Sequence, residues 1–444
     1  MRTLRTLLVA AGLVIAAAGP AAAAPPSTDH PTNAKAAAAW LSTQVNAQGF
    51  IESSFTPGAP DLSTTAQAVP ALVAAGVGGT TITKLLDYLG AHVSDFAVDD
   101  TDPLNPVDKP GALAYLVLAA EAGGADPTAF GTPATDLVAR LHATEQTSGN
   151  DAGLFGSGSP TFDGAFREGL AFLALDTAGE TPSATAIAWL ADQQCDSGLW
   201  MAYRADTSVA CSTPDPADFT SPDTNSTALG VLAMHSVGAG GAVAATAGAN
   251  ALKAVRNSGG GWGLSAAAAQ PTDANSTGLV ADALLATGGT PDAAALAAIE
   301  SLQLGCDADA ADRGGIAFQD FGSGLLPDAF ATVQAVPALA GASLPIANRT
   351  VTSGVPDVCA PVTPTTVTPT TVTPTTGGST TTTPTTSNGS TTTTAGGAVA
   401  RESALARTGS SDGPASVVAL TLIGGGVGLV AAGNRRRRSS VPRS

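Results

Sequence analysis

One passage recurs six times between Lys35 and Ser343: an Ala/Leu-rich run, a turn holding Gly and an aromatic, an Asp, and a second apolar run closing on Gly or Ser. The repeated aspartates are Asp61, Asp108, Asp163, Asp223, Asp273 and Asp328, spaced 47 to 60 residues apart. Each interval holds two helices and their loops, and a unit of that size cannot bury its apolar face alone. The repeat therefore predicts stacked helical hairpins, and six of them suffice to close a ring.

The runs favour helix. Trp40-Leu41, Leu85-Leu86-Leu89, Leu137-Leu141, Ile187-Leu190, Leu252-Val255 and Ile299-Leu302 have helical spacing on Ala- and Leu-rich segments, and β-branched alternation is rare. The second run of each unit starts beside its Asp, as in Asp223-Thr224-Asn225-Ser226-Thr227 and Asp273-Ala274-Asn275-Ser276-Thr277, where Asp, Asn and Ser can accept bonds from first-turn amides. These second helices are apolar nearly all round and are expected inside, with the more polar first helices outside. Gln67-Ala68-Val69-Pro70-Ala71-Leu72 of unit one recurs as Gln334-Ala335-Val336-Pro337-Ala338-Leu339 of unit six, which supports closure. The expected fold is all-α, an (α/α)6 toroid of six helical hairpins over residues 27–360, large enough to bury its own core.

The turn Gln194-Cys195-Asp196-Ser197-Gly198-Leu199-Trp200 has the Gln-x-x-x-Gly-x-Trp spacing of the QW repeat. Looser copies run from Trp40 to Phe50, Gln146 to Phe155, Asn257 to Trp262 and Gln303 to Phe318, with Phe96 the trace in unit two. The domain thus resembles the α/α-toroid superfamily of terpenoid cyclases and protein prenyltransferases. That resemblance implies the fold; the motif is structural and does not transfer chemistry.

Chemistry requires other residues. The squalene-type cyclases that this domain resembles protonate with Asp-x-Asp-Asp, one carboxyl holding its neighbour in the donor state. The nearest strings, Asp99-Asp100-Thr101-Asp102 and Asp307-Ala308-Asp309-Ala310-Ala311-Asp312, lack that order and read as solvated loops. Such cyclases also line their cavity with aromatics. This chain has 12 Phe, 4 Trp and 3 Tyr, and the turns already use several. Prenyltransferases of the superfamily hold zinc with Asp, Cys and His. Asp357-Val358-Cys359 lies beyond the sixth unit with no His nearby, so no metal or other cofactor is expected.

The six aspartates are expected to ring one mouth of the toroid, as helix caps and as a weak candidate ligand-binding set. Arg167, Glu168, Asp282, Gln67 and Gln334 are polar residues on runs assigned to the buried layer. Arg167 and Asp282 join the candidate set; an unpaired buried carboxylate is costly and either finds a partner or titrates upward.

The two ends point to export. Arg2 and Arg5 precede an apolar run from Leu7 to Ala18 and the small residues Ala21 to Ala24, the order of a secretory signal peptide, here residues 1–23. Leu405-Ala406-Arg407-Thr408-Gly409 is followed by an apolar stretch, 415–433, and by Arg435 to Arg438. Pentapeptide, span and basic tail resemble the signal read by sortases of Gram-positive bacteria, and the arginines would hold the tail in the cytoplasm. That resemblance implies sortase and peptidoglycan as partners, with a permanent single-pass anchor as the alternative. Residues 361–400, rich in Thr, Pro, Ser and Gly, read as a disordered, extended stalk.

In an exported protein the four cysteines suit disulfides better than a metal. Three pairings are possible. Cys195 with Cys211 would brace the longest inter-helix loop, and Cys306 with Cys359 would staple the C-terminal extension to the ring. The chain carries a net charge of −17, and removal of its terminal arginines makes it more acidic. Such a surface repels nucleic acid and favours cationic partners.

These features together favour a cell-wall-anchored surface protein whose toroid binds or displays. An exported enzyme, cyclase-like or acting on polysaccharide, is a second reading. A third is a carrier of cobalamin resembling intrinsic factor and transcobalamin, although those add a β-rich domain after the ring. An open apolar cavity would favour the latter two, and a cavity blocked by side chains would favour display.

Overall fold

In the computed structural model, which describes residues 25–156, 161, 163–267 and 270–359, helices pair as outer and inner members of six hairpins. The outer helices are α1 (His30–Gln44), α3 (Gly79–Ala91), α6 (Leu137–Ala143), α8 (Ala184–Asp192), α10 (Ala242–Ala254) and α12 (Ala293–Glu300). The inner ones are α2 (Leu62–Ala75), α5 (Pro110–Gly123), α7 (Gly164–Thr177), α9 (Thr224–Ser236), α11 (Ala274–Gly288) and α13 (Ala329–Leu339). The five-residue α4 (Val93–Ala97) precedes a loop pinned by a two-residue antiparallel ribbon, β1 (Val98–Asp99) with β2 (Val107–Asp108).

The inner helices form a closed circuit: α2 packs on α5, α5 on α7, α7 on α9, α9 on α11, α11 on α13, and α13 on α2. Outer helices fill grooves between them, α1 lying against α13 and α2, α3 against α2 and α5, and α12 against α11 and α13. The fold is thus an all-α toroid of six hairpins. Inner helices are covered on both sides, which is why α9 is buried without a break from Thr224 to Met234 and why a one-faced pattern is missing there.

The turns tie each hairpin to the next. Gln194 Nε2 donates to the carbonyls of Gly198 and of Ala244 in the next outer helix, and Gln303 Nε2 donates to Gly314 and, across the closure, to Asn33 of α1. Gly314 has φ +85°, and a Cβ built there would lie 2.4 Å from the Ala36 carbonyl oxygen, so only glycine lets the turn press on α1. Gly198 makes the same approach to Ala247 of α10 at 2.6 Å. The indoles of Trp200 and Trp262, both fully buried, donate back to Leu190 and Leu252 at the ends of their outer helices.

A threonine four residues after the capping Asp completes the unit. Thr65, Thr227, Thr277 and Thr332 Oγ1 accept the amides of Ile51, Trp200, Trp262 and Ile316 at 2.9 to 3.1 Å. Ile51 and Ile316 therefore hold in units one and six the place of the tryptophans, one residue after Phe50 and two before Phe318. In unit three the acceptor for Phe155 is Glu168, fully buried, whose carboxyl burial pushes well above the usual range although that amide opposes the shift.

The expected disulfides form, Cys195 with Cys211 and Cys306 with Cys359. Among the described residues no helix is long and apolar enough to cross a membrane. The expected signal peptide 1–23, stalk 361–400, sorting pentapeptide Leu405 to Gly409 and span 415–433 lie outside the described residues.

Candidate functional site

All inner helices start at one mouth. The chain entering α9 bonds to the chain entering α11 through Thr224 N and the Leu264 carbonyl, and the start of α11 bonds to the stretch before α13 through Ala274 N and Phe318. The start of α7 likewise bonds to Ala202, ahead of α9.

Four of the six aspartates cap their helices: Asp61 accepts from Thr64 N, Asp223 from Ser226 N, Asp273 from Ser276 N and Asp328 from Ala331 N, at 2.6 to 3.0 Å. Burial outweighs these bonds, raising Asp223 to about 6 and Asp273 to about 7. The other two serve arginines. Asp108 lies in β2, one residue before the N-cap Lys109, and pairs with Arg140 of α6, whose Nε stands 3.0 Å away. Asp163 occupies the N-cap of α7 without capping it and pairs with Arg167 Nη1 at 2.9 Å. Its carboxyl is raised by burial, against the pull of that guanidinium.

The mouth is closed by a chain of side-chain hydrogen bonds. Asn275 Nδ2 donates to Gln334 Oε1, Gln334 Nε2 to Gln67 Oε1, and Gln67 Nε2 to Ser63 Oγ, which in turn meets the Tyr115 hydroxyl. It links α11, α13, α2 and α5. The sequence flags Gln67 and Gln334 as polar residues on buried runs, but Asn275 reads there as a helix-start residue and Ser63 and Tyr115 give no signal.

Beneath this chain lies a cavity on the ring axis to which all six inner helices contribute, with about 30 Å³ of free volume. That is room for roughly two water molecules. Its walls are mainly Leu, Ala, Val and Pro, with Tyr115 and Phe166 the aromatics. Asp282 lines it from α11, 1% exposed, and neither carboxylate oxygen has a hydrogen-bond partner. Burial alone pushes its carboxyl well above the aspartate range.

The far mouth is stopped by the segment after α13. Leu344 reaches the cavity wall and Ile346 is buried. Asn348 Nδ2 donates to the Ala122 carbonyl at the end of α5, and Thr352, Ser353 and Gly354 exchange backbone bonds with Gly76, Gly78, Gly79 and Thr80 beyond α2. The Cys306–Cys359 bond fixes the end of this strap.

Of the candidate residues, Asp282 alone reaches the axial cavity; Arg167 stays at the mouth, its Cγ 3.7 Å from a Cβ built on Gly111 of α5. Asp99, Asp100 and Asp102 lie apart, in β1 and the turn after it, where Asp99 and Asp102 accept from local backbone amides.

No family model matches the chain, and no curated protein matches it. Among solved structures, an unsaturated glucuronyl hydrolase from Bacillus sp. GL1 aligns over 70% of this chain and 96% of its own at 12% identity, TM-score 0.48. A type II terpene cyclase from Scytonema, in complex with geranylgeranyl dihydroxybenzoate, aligns over 70% and 96% at 14% identity, TM-score 0.42. An ent-copalyl diphosphate synthase from Streptomyces platensis aligns over 63% of this chain and 50% of its own at 18% identity, TM-score 0.38. Likeness at this level carries no argument about activity, and the fold stands on the closed circuit of helices described above.

Proposed function

We propose that the protein is an exported, cell-wall-anchored surface protein whose helical ring is a binding and display module rather than a cyclase. One observation supports this most: the ring axis is filled. A cavity with room for about two water molecules, bounded by a polar chain at one mouth and a strap at the other, does not admit a polyprenyl chain or a sugar ring. Contact with a partner then falls to the loops around the mouth where the inner helices start. Phe55, Leu104, Phe219 and Phe321 are exposed there, among exposed carboxylates such as Asp100, Asp102, Asp206 and Asp309. The nearby cations are engaged at home: Arg204 donates to backbone carbonyls, Arg313 to the Ala308 carbonyl, and Arg256 to Asp292. This surface suits a cationic partner with apolar patches. Two disulfides support an oxidising compartment outside the cytoplasm.

Cell fractionation of a Thr408→Ala variant tests the anchoring. The expected result is loss of covalent attachment to the wall and a longer, membrane-associated form; release only by wall-degrading enzymes would exclude sortase processing.

A second reading, an exported enzyme of the cyclase or polysaccharide-acting type, draws on Asp282, a carboxyl that burial pushes upward in the axial cavity. Incubation with squalene or geranylgeranyl diphosphate, read by mass spectrometry, separates the two. No product is expected, and turnover abolished by Asp282→Asn would replace the display reading with this one.

A further inference from the structure

The axial cavity is unbalanced in its hydrogen-bonding groups. Both oxygens of Asp282 are buried in it without a partner. Pro70 of α2 and Pro337 of α13 also line it, as do Ala66 and Val333, the residues four positions before them. A proline inside a helix has no amide to give to the carbonyl four residues back. The carbonyls of Ala66 and Val333 therefore lack their helical donor, in two adjacent helices at matching places of the repeat. Gln67 Nε2, which also reaches the cavity, is committed to Ser63, and Gln334 Nε2 gives one of its two hydrogens to Gln67. On the axis the two oxygens of Asp282 stand unpartnered, walled by aliphatic side chains and by the rings of Phe166 and Tyr115.

Such a space complements a small donor with positive charge. We propose that the axial cavity is a binding site for a small protonated amine, of the ammonium or methylammonium class, with Asp282 as its counter-ion. The volume of about 30 Å³ holds roughly two water molecules and hence two heavy atoms. An alkylammonium gives its N–H groups to the carboxylate and to freed carbonyls, and its methyl group to the Leu and Val walls.

Binding is coupled to a proton. Burial raises the Asp282 carboxyl, so at any pH where the empty site is protonated a protonated amine enters as that carboxyl loses one proton to solvent: acid plus alkylammonium gives carboxylate–alkylammonium pair plus H⁺. The groups around Asp282 leave it as the one titrating centre. Tyr115 is the other titratable side chain lining the cavity, and burial raises its phenol further. Helix α13 carries no titratable residue; α9 carries His235 at its exposed end; α10 carries Lys253, exposed; and α12 carries Glu300, paired with His30 on the outside.

The test is titration of the purified full-length chain with methylammonium chloride by calorimetry, in two buffers of different ionisation enthalpy. The expected result is one site, release of close to one proton per amine, and affinity rising up to tenfold per pH unit while Asp282 is protonated when empty. Asp282→Asn, of the same shape but uncharged, should lose binding and proton release while keeping its helical circular dichroism and melting temperature. Binding unchanged in Asp282→Asn overturns the proposal. So does absence of binding in the parent chain, or a site that takes potassium chloride and refuses methylammonium.

Discussion

The amide of Gln334 donates to the carbonyl oxygen of Gln67 over 3.1 Å, joining the sixth inner helix to the first at the same position of each. Each is the sixth residue of its helix, and each is followed three residues later by a proline on the cavity wall. The first and last repeats thus meet as neighbours in register, and the ring has no free edge.

Closure makes the last turn as critical as any internal one. Gly314→Ala forces a side chain into a left-handed backbone position and against the Ala36 carbonyl. The expected loss is about 2 kcal/mol or more, read by urea unfolding. Gly58→Ala, at φ +81° with open space around it, isolates the backbone strain and should cost less.

Thr227→Val keeps the shape of the side chain but removes the acceptor for the buried amide of Trp200. An unsatisfied buried donor costs about 1 to 3 kcal/mol. Tryptophan fluorescence should follow the shifted unfolding midpoint, and Thr227→Ser should restore most of it.

Acid should stabilise this protein over part of its range. The folded state keeps a proton on Asp223 up to about pH 6 and on Asp273 up to about 7, whereas the unfolded chain releases both near an ordinary value of about 4. Between those limits the native state binds more protons. The contribution of these groups is therefore complete below about pH 4 and is lost as pH rises to about 7, by at most about 1.4 kcal/mol per group and pH unit. Urea midpoints measured across that window should fall with pH. In the Asp223→Asn, Asp273→Asn double variant, which retains capping side chains, the fall should be shallower.

The two disulfides should contribute unequally. The Cys306–Cys359 pair spans 53 residues and the Cys195–Cys211 pair 16, which by loop entropy corresponds to about 4 and about 3 kcal/mol. Replacing each pair by serine, with melting followed by circular dichroism, should give the larger loss for the longer loop.

The architecture was legible because burial imposes a period on the sequence. Asp61, Asp223, Asp273 and Asp328 mark helix starts in the repeat and cap helices in the structure. Asp108 and Asp163 stand in register but pair with arginines, Asp108 with Arg140 of another helix and Asp163 with Arg167 one turn along its own. The turn aromatic was misplaced in units one and six, where Ile51 and Ile316 fill the buried place. A small hydrophobe packs there without breaking the turn, so Phe50 and Phe318 stood out for size alone. The threonine four residues after the Asp repeats visibly as Thr65, Thr227, Thr277 and Thr332, yet threonine near a helix start reads as a local cap. The pairing of Cys306 with Cys359 announced that the C-terminal extension is stapled to the ring, but not that it stops the far mouth, since the backbone bonds of Thr352 to Gly354 leave no trace in side-chain pattern. Asp282 was legible as an anomaly, a carboxylate on an apolar run; that it faces the axis depends on the closed circuit.

The strap and its disulfide also fix how force travels. Cys359 is the last described residue, and a pull applied to the chain beyond it would reach the covalent link to Cys306 before it reaches the strap. Load passes into the turn behind α12, and through Gln303 into α1, while the backbone bonds of Thr352 to Gly354 remain outside the line of tension. The ring can be towed by its tail with its stopper left in place.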